Sequence, residues 1–384
     1  MEKERTHSMK KIIIYGVSNI VLRRQIEYFL DDSYEIIGYS DGYYKKDFID
    51  EKPFIAPENL WNKEFDFLLL NAFSESSRNQ MKRMLEELGI LSEKVIDPYI
   101  LLDNGGAKNF PDLIADIDNQ YHGEKNLIFG LSYSWWGINK QKLQRSFFDC
   151  SAPSIDLYYN YSLCCYMETR MPFINLQYVF FVFPYYYFDY DMSRSKKLYE
   201  RGSMCRLWQL DDWHHYKEVT GAYEYVENYR MFGKKISQFY HVPKPSWQLP
   251  DKVHGDTDGT GLLNSVWFSN REETVVENRE LFIRFYQKMA GGGAYPILII
   301  PPWYVKGLNS VSREAFQKKK EKFYGILHEM EVKIGKITVF DYTDLLGQRD
   351  FFYDVEHLND KGRKKFTEII NQEILQGKVE NNRS

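Results

Sequence analysis

Asn126-Leu127-Ile128-Phe129-Gly130-Leu131-Ser132-Tyr133-Ser134 is the stretch on which the fold turns. The run from Asn126 to Phe129 is apolar in character and too short for a helix, and Gly130 breaks it, so it reads as a buried strand that ends in a tight turn. A helix is expected next, from about Asn139 to Phe148, which makes the segment a strand–turn–helix opening. Downstream the same alternation continues. Apolar runs at Leu176 to Phe183, Tyr295 to Ile300 and Ile337 to Phe340 read as buried strands. Helical patterns fall at about Ile155 to Thr169, Arg271 to Met289, Arg313 to Met330 and Asp360 to Ile374. Strands alternating with helices give an open, mostly parallel sheet covered by helices. Residues 184–270 interrupt the alternation as an irregular insertion rich in Tyr, Trp and His, long enough to carry structure of its own or to form a lid.

Upstream lies a smaller unit of the same kind. Lys11 to Tyr15 is a β-branched strand, followed by Gly16-Val17-Ser18-Asn19 and a helical pattern through Leu30. A strand from Glu35 to Ser40 ends on Asp41. Another, Phe65 to Leu70, leads through Asn71 into an amphipathic helix from about Ser76 to Leu88, closed by Gly89. A short strand at Lys94 to Ile96 completes a Rossmann-like domain over residues 9–102. Asn104-Gly105-Gly106 and Pro111 mark a linker, 103–125, and residues 126–384 form the second domain. The fold class is therefore α/β, with two open, mostly parallel sheets.

A chain of 384 residues exceeds the roughly 250–300 at which single cores stop growing. Hydrophobic content of 43% and charged content of 27% are those of an ordinary globular protein, which argues against long disorder. Net charge is −4 and the basic residues are dispersed among acidic ones, so no stripe is available to bind nucleic acid. The most apolar run, Tyr178 to Tyr187, is far shorter than the ~20 residues of a membrane span. The charged start, Met1 to Lys10, lacks the apolar stretch of a signal peptide, and a cytoplasmic location is expected. Cys150, Cys164, Cys165 and Cys205 have neither disulfide-scaffold density nor zinc-motif spacing and are expected to be reduced.

In open α/β sheets ligands sit beyond the carboxyl ends of the strands. Ser132 stands there, two residues after Gly130, on a turn where its own N–H can help hold an oxyanion. Near the other end of the chain, Asp354-Val355-Glu356-His357-Leu358-Asn359 lies between the last strand and the last helix. Asp354 and His357 are three positions apart, a spacing that lets the carboxylate reach Nδ1 and fix the imidazole tautomer.

Gly130-x-Ser132 after the first strand and Asp354-x-x-His357-Leu358-Asn359 before the last helix resemble the first and last sequence blocks of the SGNH (GDSL-like) hydrolase family. The resemblance spans residue 126 to near the C-terminus and implies a flavodoxin-like three-layer α/β/α fold and acyl transfer to water or to a sugar hydroxyl. It implies Ser132 as nucleophile, His357 as general base and Asp354 as its orienter, with no metal and no cofactor. This chain carries Leu131 where the family usually has Asp or Ser. At the family's middle blocks, which supply a Gly and an Asn as oxyanion donors, it has Ser151-Ala152-Pro153-Ser154 and Pro184-Tyr185-Tyr186-Tyr187. Ser154, Tyr185 and Tyr186 are the candidates to replace those donors, and Trp135 with Trp136 to wall the pocket. The divergence resembles the branch that modifies bacterial surface polysaccharides, which makes an acylated glycan the expected substrate.

The first domain resembles the sugar- and nucleotide-binding modules at the front of several bacterial glycan-modifying enzymes. Gly16 supplies the first glycine of a dinucleotide fingerprint, Ser18 and Val21 stand at the other two glycine positions, and Asp41 is placed as a ribose-binding acid. A nucleotide or nucleotide-sugar is the ligand such a site takes; a plain docking module is the other reading. Asp251, His254, Asp256 and Asp258 match no metal motif, and Trp213-His214-His215 has no second cluster beside it in sequence. The reading overall is a serine esterase or O-acyltransferase of surface-polysaccharide biosynthesis. A catalytically inactive binding or assembly protein of such a pathway is the alternative.

Overall fold

A computed structural model describes residues 9–44, 47–100, 113–194, 214–215, 227–228, 231–232, 234–239, 258–259 and 271–378. The chain divides into two compact units, the first comprising 1–109 with 216–244 and the second 110–215 with 245–384. The expected insertion, 184–270, is therefore not one appendage of the second domain, because its middle is counted with the first. Apolar side chains explain this. Met231, Phe232 and Ile236 are buried. Phe239, on a short helix Lys234–Phe239, meets Phe29 edge-on at 5.6 Å, and Lys10 pairs with Glu227 at 3.8 Å.

In the first unit β1 (Lys10–Tyr15), α1 (Ile20–Phe29), β2 (Tyr34–Ser40), the two-residue β3 (Phe48–Ile49) and β4 (Lys52–Pro53), β5 (Phe67–Leu70), α2 (Glu75–Glu87) and β6 (Val95–Ile96) follow in order. The sheet runs β2-β1-β5-β6, and every pair in it is parallel. β-Branched and leucine side chains occupy its centre, with Ile12, Ile13, Ile14, Leu68, Leu69 and Leu70 fully buried, each contributing about 1.5–3 kcal/mol of transfer free energy. Gly16 (φ +100°) lets the chain leave β1 closely: a Cβ there would meet Asn71 O at 2.9 Å. Asn19 then caps α1, its side chain accepting the Leu22 N–H.

The second unit contains α3 (Leu113–Gln120), β7 (Asn126–Gly130), α4 (Ser132–Gly137), β8 (Phe148–Asp149), α5 (Leu157–Arg170), β9 (Tyr178–Val182), α6 (Glu272–Gly291), β10 (Tyr295–Ile300), α7 (Ser310–Ile334), β11 (Thr338–Asp341) and α8 (Asp360–Ile370). Five parallel strands lie in the order β11-β10-β9-β7-β8. Leu127, Ile128, Phe129 and Val179 to Val182 are buried, which is why these strands read as continuous apolar runs rather than alternating ones. Helices α5, α6 and α7 pack in succession, and α8 packs against α4. Among the described residues no helix is long and apolar enough to cross a membrane.

One expected element is replaced. Instead of a helix over 139–148, the chain forms α4 directly at Ser132, turns, and adds the short edge strand β8. The turn's backbone is satisfied from elsewhere: Asn139 N–H donates to Thr367 Oγ1 (2.8 Å) and Gln144 N–H to Asn371 Oδ1 (2.9 Å). The half-buried Lys140 ammonium donates to Ser134 O (2.8 Å) and Trp135 O (3.1 Å) at the carboxyl end of α4 and pairs with Asp149 at 2.8 Å. With those carbonyls and N–H groups occupied, little remains to drive a longer helix.

Candidate active site

β7 delivers Ser132 to the end of the sheet. Gly130 is required there, since a Cβ would meet Val182 O on the neighbouring β9 and Ser134 Cβ, both at 2.9 Å. Leu131 O accepts the Ser134 and Trp135 N–H groups at 3.0 Å each, so Ser132 is the first helical residue of α4. Its N–H, like that of Tyr133, belongs to the first turn, where helical N–H groups have no partner within the helix.

The loop before α8 is built by the same residues that stand out in the sequence. Asp354 Oδ1 accepts the backbone N–H groups of Glu356 (2.9 Å) and His357 (2.7 Å), closing a turn that throws the imidazole forward. Tyr353 N–H donates to His357 O at 2.8 Å, and Leu358 is buried. Asn359 caps α8 by accepting the Gly362 N–H at 2.9 Å, and its amide donates to Asp350 O at 2.9 Å. Each polar member of Asp-x-x-His-Leu-Asn is thus held in place.

This brings Ser132 and His357, 225 residues apart, to a Oγ···Nε2 distance of 2.9 Å. On the far side of the ring, Nδ1 lies 2.9 Å from Asp354 Oδ2 and 3.1 Å from Oδ1. Burial raises the Asp354 carboxyl, but the His357 imidazole and the hydrogen bonds outweigh it and hold the group below its ordinary value. An ionised Asp354 keeps the proton of a neutral imidazole on Nδ1 and turns the Nε2 lone pair to the Ser132 hydroxyl.

Aromatic rings fix the imidazole plane. Tyr133 stacks on His357 (5.4 Å between centroids, 17° between planes), Trp303 stacks behind Tyr133 (5.8 Å), and Trp136 meets His357 edge-on (5.3 Å). Tyr133 Oη bonds Glu356, and its partner hydroxyl on Tyr186 is 3.0 Å away. Burial, with Glu356 next, pushes both phenols well above their ordinary value, so they stay neutral. A narrow cleft reaches the Ser132–His357 pair between Trp136, Pro301, Pro302 and Glu356.

Other expected residues fall differently. Trp136, and not Trp135, lines this cleft; the Trp135 ring lies under the Lys140 ammonium at 5.6 Å. Tyr185 does not join the pair: its hydroxyl binds Asp341 Oδ2 (2.6 Å) and Thr343 Oγ1 (2.7 Å) beyond β11, and its ring packs on Phe316 and Phe323 of α7. Tyr186 reaches the site through Tyr133. Ser154, in the loop after β8, has φ +64°, the left-handed conformation that favours glycine, and its carbonyl accepts the Tyr190 hydroxyl at 2.5 Å. Trp136 was expected in the pocket wall and lines it; Tyr133 and Glu356 were not singled out from sequence, although each is a near neighbour of Ser132 or His357 in the chain.

In the first unit, Asp41 is not free to accept ribose hydroxyls. Its Oδ2 takes the N–H groups of Val17 (2.8 Å) and Ser18 (3.3 Å), and its Oδ1 those of Tyr43 (2.8 Å) and Tyr44 (3.1 Å). The carboxylate thereby fastens the Val17-Ser18 turn to the end of β2. Asp251, His254, Asp256 and Trp213 lie outside the described residues. Asp258 O accepts the Asn309 N–H at 3.1 Å.

Among the described residues, two groups of metal-ligating side chains have ligand atoms within 4.8 Å of one another, Asp354 with Glu356 and His357, and Asp191 with His214 and His215. In the first, both ring nitrogens of His357 are already engaged. In the second, Asp191 provides the companion that the His-His pair lacks in sequence. No protein-family model matches the chain, and no curated protein matches it.

Proposed function

We propose that the second unit is a serine-dependent acyl hydrolase or O-acyltransferase acting on acylated carbohydrate, of the kind the SGNH resemblance implies. The observation that carries the proposal is the continuous relay Ser132 Oγ, His357 Nε2, His357 Nδ1, Asp354 Oδ2, with hydrogen-bonding distances of 2.9 Å at each junction. In this mechanism His357 Nε2 takes the Ser132 proton as Oγ attacks the acyl carbonyl carbon. The tetrahedral oxyanion collapses, and His357 returns the proton to the departing alkoxide. Water or a sugar hydroxyl, deprotonated by the same nitrogen, then releases the acyl group from Ser132.

The Ser132 N–H is one oxyanion donor. The loop of the left-handed Ser154, bound to the Ser132 loop by Ala152 N–H to Gly130 O (3.4 Å), is the region to supply a second. Trp136 and the two prolines give the cleft flat apolar walls suited to a sugar face or a short acyl chain. The inactive-protein alternative draws its support from Tyr185, which is turned to Asp341 and leaves the family's asparagine without a replacement.

A fluorophosphonate probe and a panel of aryl esters test the proposal. Covalent labelling and turnover are expected in the wild type and absent in Ser132→Ala. A wild-type chain that neither labels nor turns over any ester supports the inactive alternative.

A further inference from the structure

The geometry points to a divalent metal site in the second unit, with Asp191 Oδ2 and the Nδ1 atoms of His214 and His215 as ligands and Glu277 as their outer partner. It shares no residue with the Ser132–His357 relay, and zinc is the ion its donors suit best.

His215 Nδ1 lies 2.8 Å from Asp191 Oδ2. His214 Nδ1 points the same way, 3.4 Å from Ser193 Oγ, which itself bonds Asp191 Oδ1. Both histidines turn their other nitrogen to Glu277, His214 Nε2 at 3.0 Å from Oε1 and His215 Nε2 at 3.7 Å from Oε2. Inner nitrogens converging with a carboxylate, and outer N–H groups held by a second carboxylate, form the arrangement that fixes the tautomer of metal-binding histidines. Tetrahedral zinc with bonds of about 2.0–2.2 Å needs donor atoms roughly 3.3–3.6 Å apart, and the three ligand atoms here already lie within 4.8 Å of one another.

The set is held in advance. Asp191 Oδ1 accepts the N–H groups of Ser193 (3.0 Å) and Arg194 (3.3 Å), which leaves Oδ2 to face the histidines. Tyr158 stacks on His214 at 3.6 Å, and His214 keeps φ +44°, a conformation side-chain-bearing residues adopt at a cost and retain only when their surroundings dictate it.

Charge also calls for a cation. The carboxylates of Asp191 and Glu277 both face the histidines, and Arg194 Nε lies 3.7 Å from Asp191. A divalent ion shared by Asp191 and the two rings, whose centroids are 3.8 Å apart, would supply positive charge to that pair of carboxylates. Two imidazoles and a carboxylate suit zinc and not calcium, which takes oxygen ligands.

The test is a titration of the chelator-stripped full chain with Zn²⁺ against a chromogenic zinc indicator near neutral pH, with Ca²⁺ as comparison. One equivalent of zinc is expected, and no calcium. Glu277→Gln should weaken binding about 10–100-fold; Asp191→Asn and His215→Gln, which keep side-chain volume, should weaken it further, and His357→Ala should retain the equivalent. A wild-type chain that binds no zinc overturns the site without reference to any variant. Retention of the full equivalent by folded His215→Gln, or its loss in His357→Ala, overturns the assignment of ligands.

Discussion

Asp354→Asn is the perturbation that separates chemistry from folding most cleanly. The two backbone N–H groups on Oδ1, from Glu356 and His357, decide how the new amide sits: its oxygen must stay with them. The NH₂ then takes the place of Oδ2, 2.9 Å from His357 Nδ1, and donates where the carboxylate accepted. Nδ1 must become an acceptor, so the ring proton moves to Nε2 and points at Ser132 Oγ. The base is lost while every contact of the loop survives. Loss of the correct tautomer costs about 10⁴ in turnover in a serine triad, or roughly 5.5 kcal/mol at 1.36 kcal/mol per decade. The rate of fluorophosphonate labelling at Ser132, located by peptide mass, is the assay, because it needs no knowledge of the natural substrate. Labelling slower by three to four decades, at about 10³–10⁴-fold, with an unchanged circular dichroism spectrum, is the expected result. Wild-type labelling in Asp354→Asn would refute the relay.

Ser132→Ala, His357→Ala and the double variant should fall to one common floor of ester turnover, because members of a relay act as a unit; additive losses would separate them. In Asp354 the carboxyl is held below its ordinary value in the folded chain, so its contribution to stability is complete above the ordinary carboxylate range and fades as pH falls through the lowered value. Acid titrations followed by circular dichroism should therefore show a shallower stability loss in Asp354→Asn than in the wild type. Tyr133→Phe keeps the ring on His357 but removes the hydroxyl that bonds Glu356, with an expected cost of about 1.5–3 kcal/mol in urea unfolding and little change in labelling. Asp41→Ala strips buried Val17 N–H of a charged acceptor and should cost the first unit about 2–4 kcal/mol, whereas an effect confined to nucleotide binding would contradict the role of Asp41 as a loop fastener. Residues 110–384 expressed alone carry Met231, Phe232 and Ile236 without their unit, and sedimentation should find them aggregated.

What could be read from sequence was local or carried by pattern. Tyr295–Ile300 is a strand with the bounds its apolar run indicates, and Gly130, Ser132, Asp354 and His357 announce themselves through strand-end position and short spacing. Position along the chain does not show which way a ring faces, so Trp135 and Trp136 could not be told apart, nor could Tyr185 be seen to turn to Asp341. The expected helix over 139–148 failed because its competitors, Thr367 and Asn371, come from more than 220 residues away. Asp41 looked like a ligand-binding acid because strand-end acids bind ligands and close loops alike; only the four N–H groups on it decide. For the His214-His215 pair the missing partners, Asp191 and Glu277, lie 24 and 63 residues off.

The boundaries of the two units mean that the chain passes between them three times, at 109/110, 215/216 and 244/245. That sets an order on synthesis. A nascent chain ending near residue 109 has its first sheet but lacks Met231, Phe232 and Ile236, and must wait for the ribosome to pass residue 244. At about 5–20 residues per second the delay is roughly seven to twenty-seven seconds. During it, the surface that the returning segment covers stands open to chaperones and to neighbouring chains. The first unit is therefore completed only after much of the second has been made, and a truncation anywhere before residue 244 leaves both of them incomplete.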